Sequence, residues 1–379
     1  MAAEASFGPL SLAREFASQL RERSCEIEEH RALPNDLAKE LAAAGLYRLW
    51  VPEVYGGFET PPQTAMEMLE ILAQGDVSTA RCVFVGLTSS LLMASLPEEA
   101  AREIFARPDT VMAGVFAPSG KAIAVPGGVS VSGHWTFGSG TRNADWITCG
   151  CEPPEPGTRR PYHVVVPGGA LEFVDTWHVA GLCGTGSGDY KLEDVFVPSS
   201  HVVDFGAGLV VDTPLYRFPA FTLLGMCIGA IALGLARAAL SDFAELAREK
   251  VPSGGRRPLR ERREVHAVVG RAEARTQAAR AFFFDSLQRA WDSACGSGVT
   301  LEQRREIRLA TCNAVDAAVE VAETVYRQAG AAAPYKSSPL QRHLRDAHVI
   351  TQHMMVRPLF YEIGGANALG VDHKDAVFL

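Results

Sequence analysis

The run Trp135-Thr136-Phe137-Gly138-Ser139-Gly140 combines a hydroxyl with aromatic rings behind a strand-like GVSVSGH stretch. It reads as a turn that presents a hydroxyl beside an aromatic side chain. Such a turn suits a planar heteroaromatic cofactor, because the ring packs on its plane while the hydroxyl bonds an edge atom. An ordinary hairpin is the alternative. Gly184-Thr185-Gly186-Ser187-Gly188 has the composition of a phosphate loop. A nucleotide loop of that kind must open a helix, so that the pyrophosphate meets the helix N-terminus. Here the next residues, DYKLEDVFVP, alternate like a strand, so no nicotinamide site is expected. His343, His348 and His353 recur every five residues along a stretch read as helical. That spacing turns each ring by about 140° from the last, so the three cannot converge on a metal. Cys149 and Cys151 form a lone CxC with no further ligands nearby, and no metal is expected there either.

These residues need elements to hold them. Helical spacing covers 11–30, 34–46, 61–75 and 80–107, with VPEVYGG as a turn-rich loop at 51–57. From 111 to 205 the texture changes to short alternating runs punctuated by Gly and Pro, which reads as an antiparallel sheet or barrel. Long Ala-rich helices follow at about 219–249, 258–292, 301–329 and 337–369. The expected domains are a helical one over 1–110, a β domain over 111–210 and a helical bundle over 211–379. The fold class is therefore α+β, mostly α.

With 379 residues, 47% of them hydrophobic and 21% charged, the chain can bury a sizeable core. Its formal charge of −8 argues against nucleic acid or an anionic membrane as partner. Eight scattered cysteines without a disulfide-like spacing fit reduced thiols in a cytoplasm. The start, MAAEASFGPLSLAREF, lacks a cationic segment before an apolar core, so no signal peptide is expected. Between Arg217 and Arg237 lie 19 uncharged residues, long enough to span a membrane. Pro219 and three glycines there favour a core helix, expected at a subunit interface.

Taken together, LAAAGLYRLWVPEVYGG, GDVSTA, GVFAPSGKA, SGHWTFGSGTRNADWITCG, GLCGTGSGDYKLEDVFVP and PLQRHLRDAHVITQH resemble the acyl-CoA dehydrogenase superfamily in content, order and spacing. The resemblance implies an N-terminal helical domain, a central antiparallel β domain and a C-terminal four-helix-type bundle; a homotetramer is expected because the apolar helix over 219–236 needs partners to cover it. Dehydrogenases of the superfamily carry a Trp-Ile-Thr turn whose Thr bonds the flavin N5 edge. Phe137-Gly138-Ser139 stands in its place and is similar to the flavin-dependent monooxygenase branch. The dehydrogenase Glu that removes the thioester α-proton falls at Met354, and a thioether cannot take a proton. The neighbouring Thr351-Gln352-His353 resembles the monooxygenase branch, whose His lies beside flavin C4a. Many phenol hydroxylases of that branch carry a substrate-facing His on the helix after Ser-Thr-Ala; here Ser89 sits near that place.

The resemblance thus implies a two-component monooxygenase. Reduced FAD or FMN would come from a separate NAD(P)H-flavin reductase, and O2 would be the co-substrate. A C4a-hydroperoxyflavin would oxygenate a small aromatic or heteroaromatic substrate. Ser139 and His353 are the expected catalytic residues, His353 because its proton moves near neutral pH. Phe137, Gly138, Ser139, Thr185, Ser187, Arg256, Arg257, Gln328 and Gly330 are expected around the flavin, with Arg256 and Arg257 where dehydrogenases reach a neighbour's cofactor. Ser89, Met93, Phe116 and Met354 are expected to line the substrate pocket. The alternative is a dehydrogenase or oxygenase acting on a CoA- or carrier-bound acyl thioester, with Glu362 as a relocated base. A third reading is a non-enzymatic member of the fold.

Overall fold

Proline and capping side chains set where the helices begin and end. In the computed structural model, which describes residues 8–155, 162–204 and 208–371, eleven helices and seven strands are formed. The first seven residues, part of the stretch read for a signal sequence, lie outside the described residues. The N-terminal helices are α1 (Pro9–His30), α2 (Asn35–Ala43), α3 (Pro62–Gly75), α4 (Val77–Leu91) and α5 (Glu98–Ile104). Helix α4 starts where the Asp76 carboxylate accepts from the Thr79 backbone N–H at 2.6 Å and its hydroxyl at 2.8 Å, which satisfies an otherwise orphaned donor.

The strands are β1 (Met112–Val125), β2 (Gly128–Trp135), β3 (Trp146–Glu152), β4 (Tyr162–Pro167), β5 (Glu172–Val174), β6 (Asp189–Pro198) and β7 (Val202–Asp204). They form one sheet in the order β5-β6-β2-β1-β3-β4-β7. The expected antiparallel pattern holds for every pairing but one: β1 and β3 run parallel. After the β1–β2 hairpin the chain crosses the end of β1 and enters on its far side, so β3 must run with β1. That crossing is residues 136–145. It carries the Phe137–Ser139 turn over the end of the sheet.

The C-terminal helices are α6 (Pro214–Arg217), α7 (Ala220–Glu249), α8 (Arg263–Ala294), α9 (Leu301–Ala329), α10 (Pro339–Ile350) and α11 (Leu359–Ala368). A full capping box at Thr300 and Gln303 starts α9, and Gly330 ends it. The single helix expected over 337–369 is broken. Pro358 cannot donate to a helical ladder and disfavours helical backbone at the residue before it. The chain leaves α10 at Ile350, makes a short 3-10 turn over Met354–Val356, and restarts at Leu359. His353 therefore lies off the helix, at the N-cap of that turn.

Helix α7 contains the 19-residue apolar stretch. It packs against α3, α4, α8, α9 and α10 of the same chain. The most apolar windows of α7 and of Val77–Ser95 are each 94% buried, so both are core helices. The expectation that α7 needs a neighbouring subunit to cover it is corrected: one chain covers it. Its close approach to α3 requires Gly234, where a Cβ would lie 2.3 Å from the Glu70 carbonyl oxygen.

Candidate functional site

The turn after β2 is held from below and from the side. Trp135 is fully buried, stacks on Tyr190 with ring centroids 5.4 Å apart, and donates its indole N–H to the Gly150 carbonyl at 2.8 Å. The backbone N–H of Gly138 donates to Gly188 O, and that of Gly140 to Thr185 O, both at 3.0 Å. These bonds tie the turn to the 184–188 segment, which is followed by strand β6 as read from the sequence. Phe137 takes a left-handed backbone, φ 63°, and leaves 67% of its surface exposed. Its ring meets the Trp177 ring edge-on at 6.1 Å.

Beside Phe137 lies a row of buried hydroxyls. Ser139 Oγ is 2.7 Å from Ser187 Oγ, which is 2.6 Å from Thr185 Oγ1, which donates to the Leu182 carbonyl at 2.8 Å. A carbonyl can only accept, so the Thr185 proton is committed to it. The proton between Thr185 and Ser187 must then belong to Ser187, and the one between Ser187 and Ser139 to Ser139. The row leaves Ser139 Oγ with free lone pairs: toward a ligand it accepts. These three residues are 48 positions apart at most, and only the fold brings them together.

Helix α4 runs close to this row. The Cys82 thiol lies 3.7 Å from Thr185 O. The preceding residue, Arg81, and the buried Arg308 of α9 both act on His353. Half-buried His353 accepts the Met355 backbone N–H on Nδ1 at 3.2 Å, so the neutral ring carries its proton on Nε2. Desolvation, with Arg81 and Arg308 adding like-charge repulsion, holds its pKa well below the ordinary value. The imidazole is thus neutral near pH 7. This corrects the expectation of a proton titrating near neutrality: His353 can offer a fixed N–H.

Arg308 donates to the Phe221 carbonyl at 2.9 Å and lies 4.7 Å over the Phe360 ring. Gly225 makes room for it, since a Cβ there would fall 2.2 Å from Nη1. Phe221, 47% exposed, is 6.3 Å from Phe116. The Phe116 carbonyl accepts from His163 at 3.2 Å. Phe116, Phe221 and Arg308 are thus linked in turn, and Arg81 and Arg308 both lie near enough to His353 to act on its charge.

The other expected residues are less gathered. Ser89 is fully buried, and its hydroxyl has no hydrogen-bond partner among the described residues. Met93 is a core residue, 0% exposed, in the cluster that takes Phe116 at its edge. Met354 is 54% exposed, so it lines no enclosed pocket in the single chain. Arg256 and Arg257 are exposed on the loop between α7 and α8. Gln328 and Gly330 close α9. None of these four makes a hydrogen bond or ion pair with the hydroxyl row. The three histidines find separate partners: His343 bonds Asp242 at 2.6 Å, His348 pairs with Glu323 at 3.2 Å, and His353 caps its turn. Sequence reasoning missed Arg81, Arg308 and Trp177. For Arg81 a signal existed, because it is the one charge in the α4 sequence VSTARCVFVGLTSSL.

The model of the acyl-CoA dehydrogenase N-terminal domain matches residues 10–104, and that of the acyl-CoA dehydrogenase C-terminal domain matches residues 226–358. The chain is 33% identical over 354 residues to the indole-3-acetate monooxygenase of Pseudomonas putida, spanning 92% of this chain and 90% of that protein. It is 28% identical over 391 residues to the oxygenase component of an FADH(2)-dependent resorcinol hydroxylase from a Rhizobium species, spanning 94% and 93%. Among solved structures, XiaF from a Streptomyces species, in complex with FADH2 and glycerol, superposes with a TM-score of 0.88 at 26% identity, covering 96% and 95% of the two chains.

Proposed function

This chain belongs to the acyl-CoA dehydrogenase family, in its flavin-dependent monooxygenase branch, and from that premise we propose how its residues serve the reaction. The enzyme is the oxygenase component of a two-component system and uses reduced flavin, as FAD or FMN, supplied in trans. Its substrate is a small aromatic or heteroaromatic molecule, in keeping with the indole-3-acetate and resorcinol named for its relatives. Bound reduced flavin supplies two electrons to O2, so that one oxygen atom enters the substrate and the other leaves as water.

The residues present suit a flavin. Phe137 is a large apolar ring left mostly in solvent and held in a backbone conformation unusual for Phe, a surface that a planar ring would cover. Phe137, Gly138 and Ser139, with Thr185 and Ser187 behind them, would hold it. Reduced flavin bears an N–H at N5, and the hydroxyl row leaves Ser139 as the matching acceptor. His353 would offer a neutral Nε2–H to the oxygen that the flavin chemistry supplies. Phe116, from β1, and Ser89, from α4, would face the substrate.

One observation weighs most against the thioester reading. No carboxylate among the described residues contributes to the electrostatics of Arg81 or His353. Glu362, the one candidate for a relocated base, lies exposed on α11. Among the described residues, no carboxylate stands at that site to take an α-proton. The test is to mix the protein with reduced flavin, 18O2 and a panel of indoles and phenols. Label is expected in an organic product. Bleaching of oxidised flavin by a CoA ester under anaerobic conditions, with no labelled product, would replace this reading with dehydrogenation.

The position of Arg256, Arg257, Gln328 and Gly330 away from the hydroxyl row suits residues that serve the flavin of another copy, as their counterparts do in the family. We therefore infer a homotetramer, working in the cytoplasm beside an NAD(P)H-dependent flavin reductase. Light scattering on the flavin-loaded protein should give four chains, and Arg256→Ala together with Arg257→Ala should weaken flavin binding. A monomer at micromolar concentration that binds flavin as tightly as the unmodified protein would overturn this assignment.

A further inference from the structure

Among the described residues, Arg81 is a cation without a counterion. It is the single charged residue of α4, and its guanidinium carbon lies 4.4 Å above the Phe84 ring. Its Nη1 is buried and has no hydrogen-bond partner among the described residues. Most other arginines of the helical domains answer a carboxylate, as Arg237 does Glu273, Arg280 does Glu70 and Arg345 does Glu28. Among the described residues only the thiols of Cys82 and Cys227 bear on Arg81, and burial pushes its pKa down to about 10. Charge removed from water without a partner is costly, and a group left that way in a folded protein invites an anion. Its neighbours fit one kind of anion. His353, on which Arg81 and Arg308 both act, and Arg308 are also donors, and Phe221, whose carbonyl accepts from Arg308, has its ring 6.3 Å from that of Phe116. The surroundings thus combine cationic donors with aromatic rings.

We propose that Arg81 binds a carboxylate carried by the aromatic substrate, so that the enzyme selects aromatic acids over their neutral analogues. This deepens the oxygenase reading and rests on it. The planar guanidinium fork suits a carboxylate in two parallel hydrogen bonds. The same arrangement accounts for Ser89 in place of a substrate-facing His. An acid anchored through its carboxylate is oriented without a group that grips a phenol.

The anion has two possible sources, the substrate or the flavin itself, and the experiment separates them. Binding is measured by calorimetry on the flavin-loaded protein, using phenylacetate and indole-3-acetate, each against its primary amide. At least one acid is expected to bind about tenfold or more tighter than its amide, the effect of one charge-assisted contact. Arg81→Gln should erase that preference, leave amide binding within about twofold, and leave flavin affinity unchanged. Arg81→Lys keeps a point charge without the fork and should retain part of the preference; it also serves if the Gln variant fails to fold. Equal binding of acid and amide in every pair would overturn the proposal. So would an Arg81→Gln variant that loses flavin and keeps the acid preference, because the flavin would then be the counterion. Acid preference without any labelled product would leave the anion site standing and remove the oxygenase reading. Labelled product formed equally from acids and amides would do the reverse.

Discussion

His353→Ala is expected to uncouple the enzyme: reduced flavin and O2 are still consumed, but hydrogen peroxide leaves in place of most of the oxygenated product. The Nε2–H of His353 is fixed in direction, because Nδ1 is occupied by the Met355 N–H. A preorganised donor aimed at developing charge typically contributes about 10²–10³ in rate. The yield of product per flavin should fall on that scale, with substrate binding little changed. His353→Gln keeps an amide N–H at similar reach and should recover part of the loss. The sign of the pH effect follows from the depressed pKa. Desolvation and the two arginines keep the imidazole neutral above its lowered pKa, so no inflection from His353 should appear as pH rises from 7 to 9. A catalytic imidazolium would instead lose activity as pH rose through its usual range. If His353→Ala keeps full coupling and only raises the half-saturation for substrate, the residue positions substrate and nothing more. Ser139→Ala should be milder, since one hydrogen bond is worth about 0.5–1.5 kcal/mol net.

The sequence carried the elements better than the relations between them. Helix α9 was legible to the residue, because a capping box and a glycine mark its ends and both signals are local. The β region was legible as texture, yet nothing local could say that β3 returns beside β1 in parallel, which depends on which edge the crossing chain reaches. The split between α10 and α11 had a local cause, Pro358, that helical periodicity on both sides obscured. The difference matters for chemistry: on a continuous helix His353 would present its ring along a helix face, whereas as an N-cap it is neutral and its tautomer is set. The Phe137–Ser139 turn could be found from residue types alone. That Ser139 accepts rather than donates could not, since it depends on hydroxyls at 185 and 187 arriving in hydrogen-bond range. Arg81 was hidden for a general reason. An arginine in a helix usually faces water, and only burial with no carboxylate near it makes one conspicuous.

Trp135 joins the core to the site, and Trp135→Ala is expected to damage both. Its ring fills a slot shaped by glycines: a Cβ at Gly120 would lie 2.2 Å from it, and one at Gly133 2.7 Å. Removing a fully buried aromatic of this size costs about 3–5 kcal/mol, a large part of the stability of most domains. The Gly150 carbonyl would also lose its indole donor. Neighbours cannot collapse into the space easily, because backbone from β1 and β2 forms two of its walls. Phe137 follows two residues later, so loosening the end of β2 frees the turn as well. Thermal melting should show a large drop in Tm, and flavin affinity of the folded fraction should fall about tenfold or more, equivalent to about 1.4 kcal/mol. Trp135→Phe restores most of the apolar volume without the N–H, so its losses should be less than half as large. A Trp135→Ala variant that melts within a degree or two of the unmodified protein would mean the slot is not an anchor. A variant that is destabilised but binds flavin normally would show that the bonds from Gly138 to Gly188 and from Gly140 to Thr185 hold the turn without help from the strand below it.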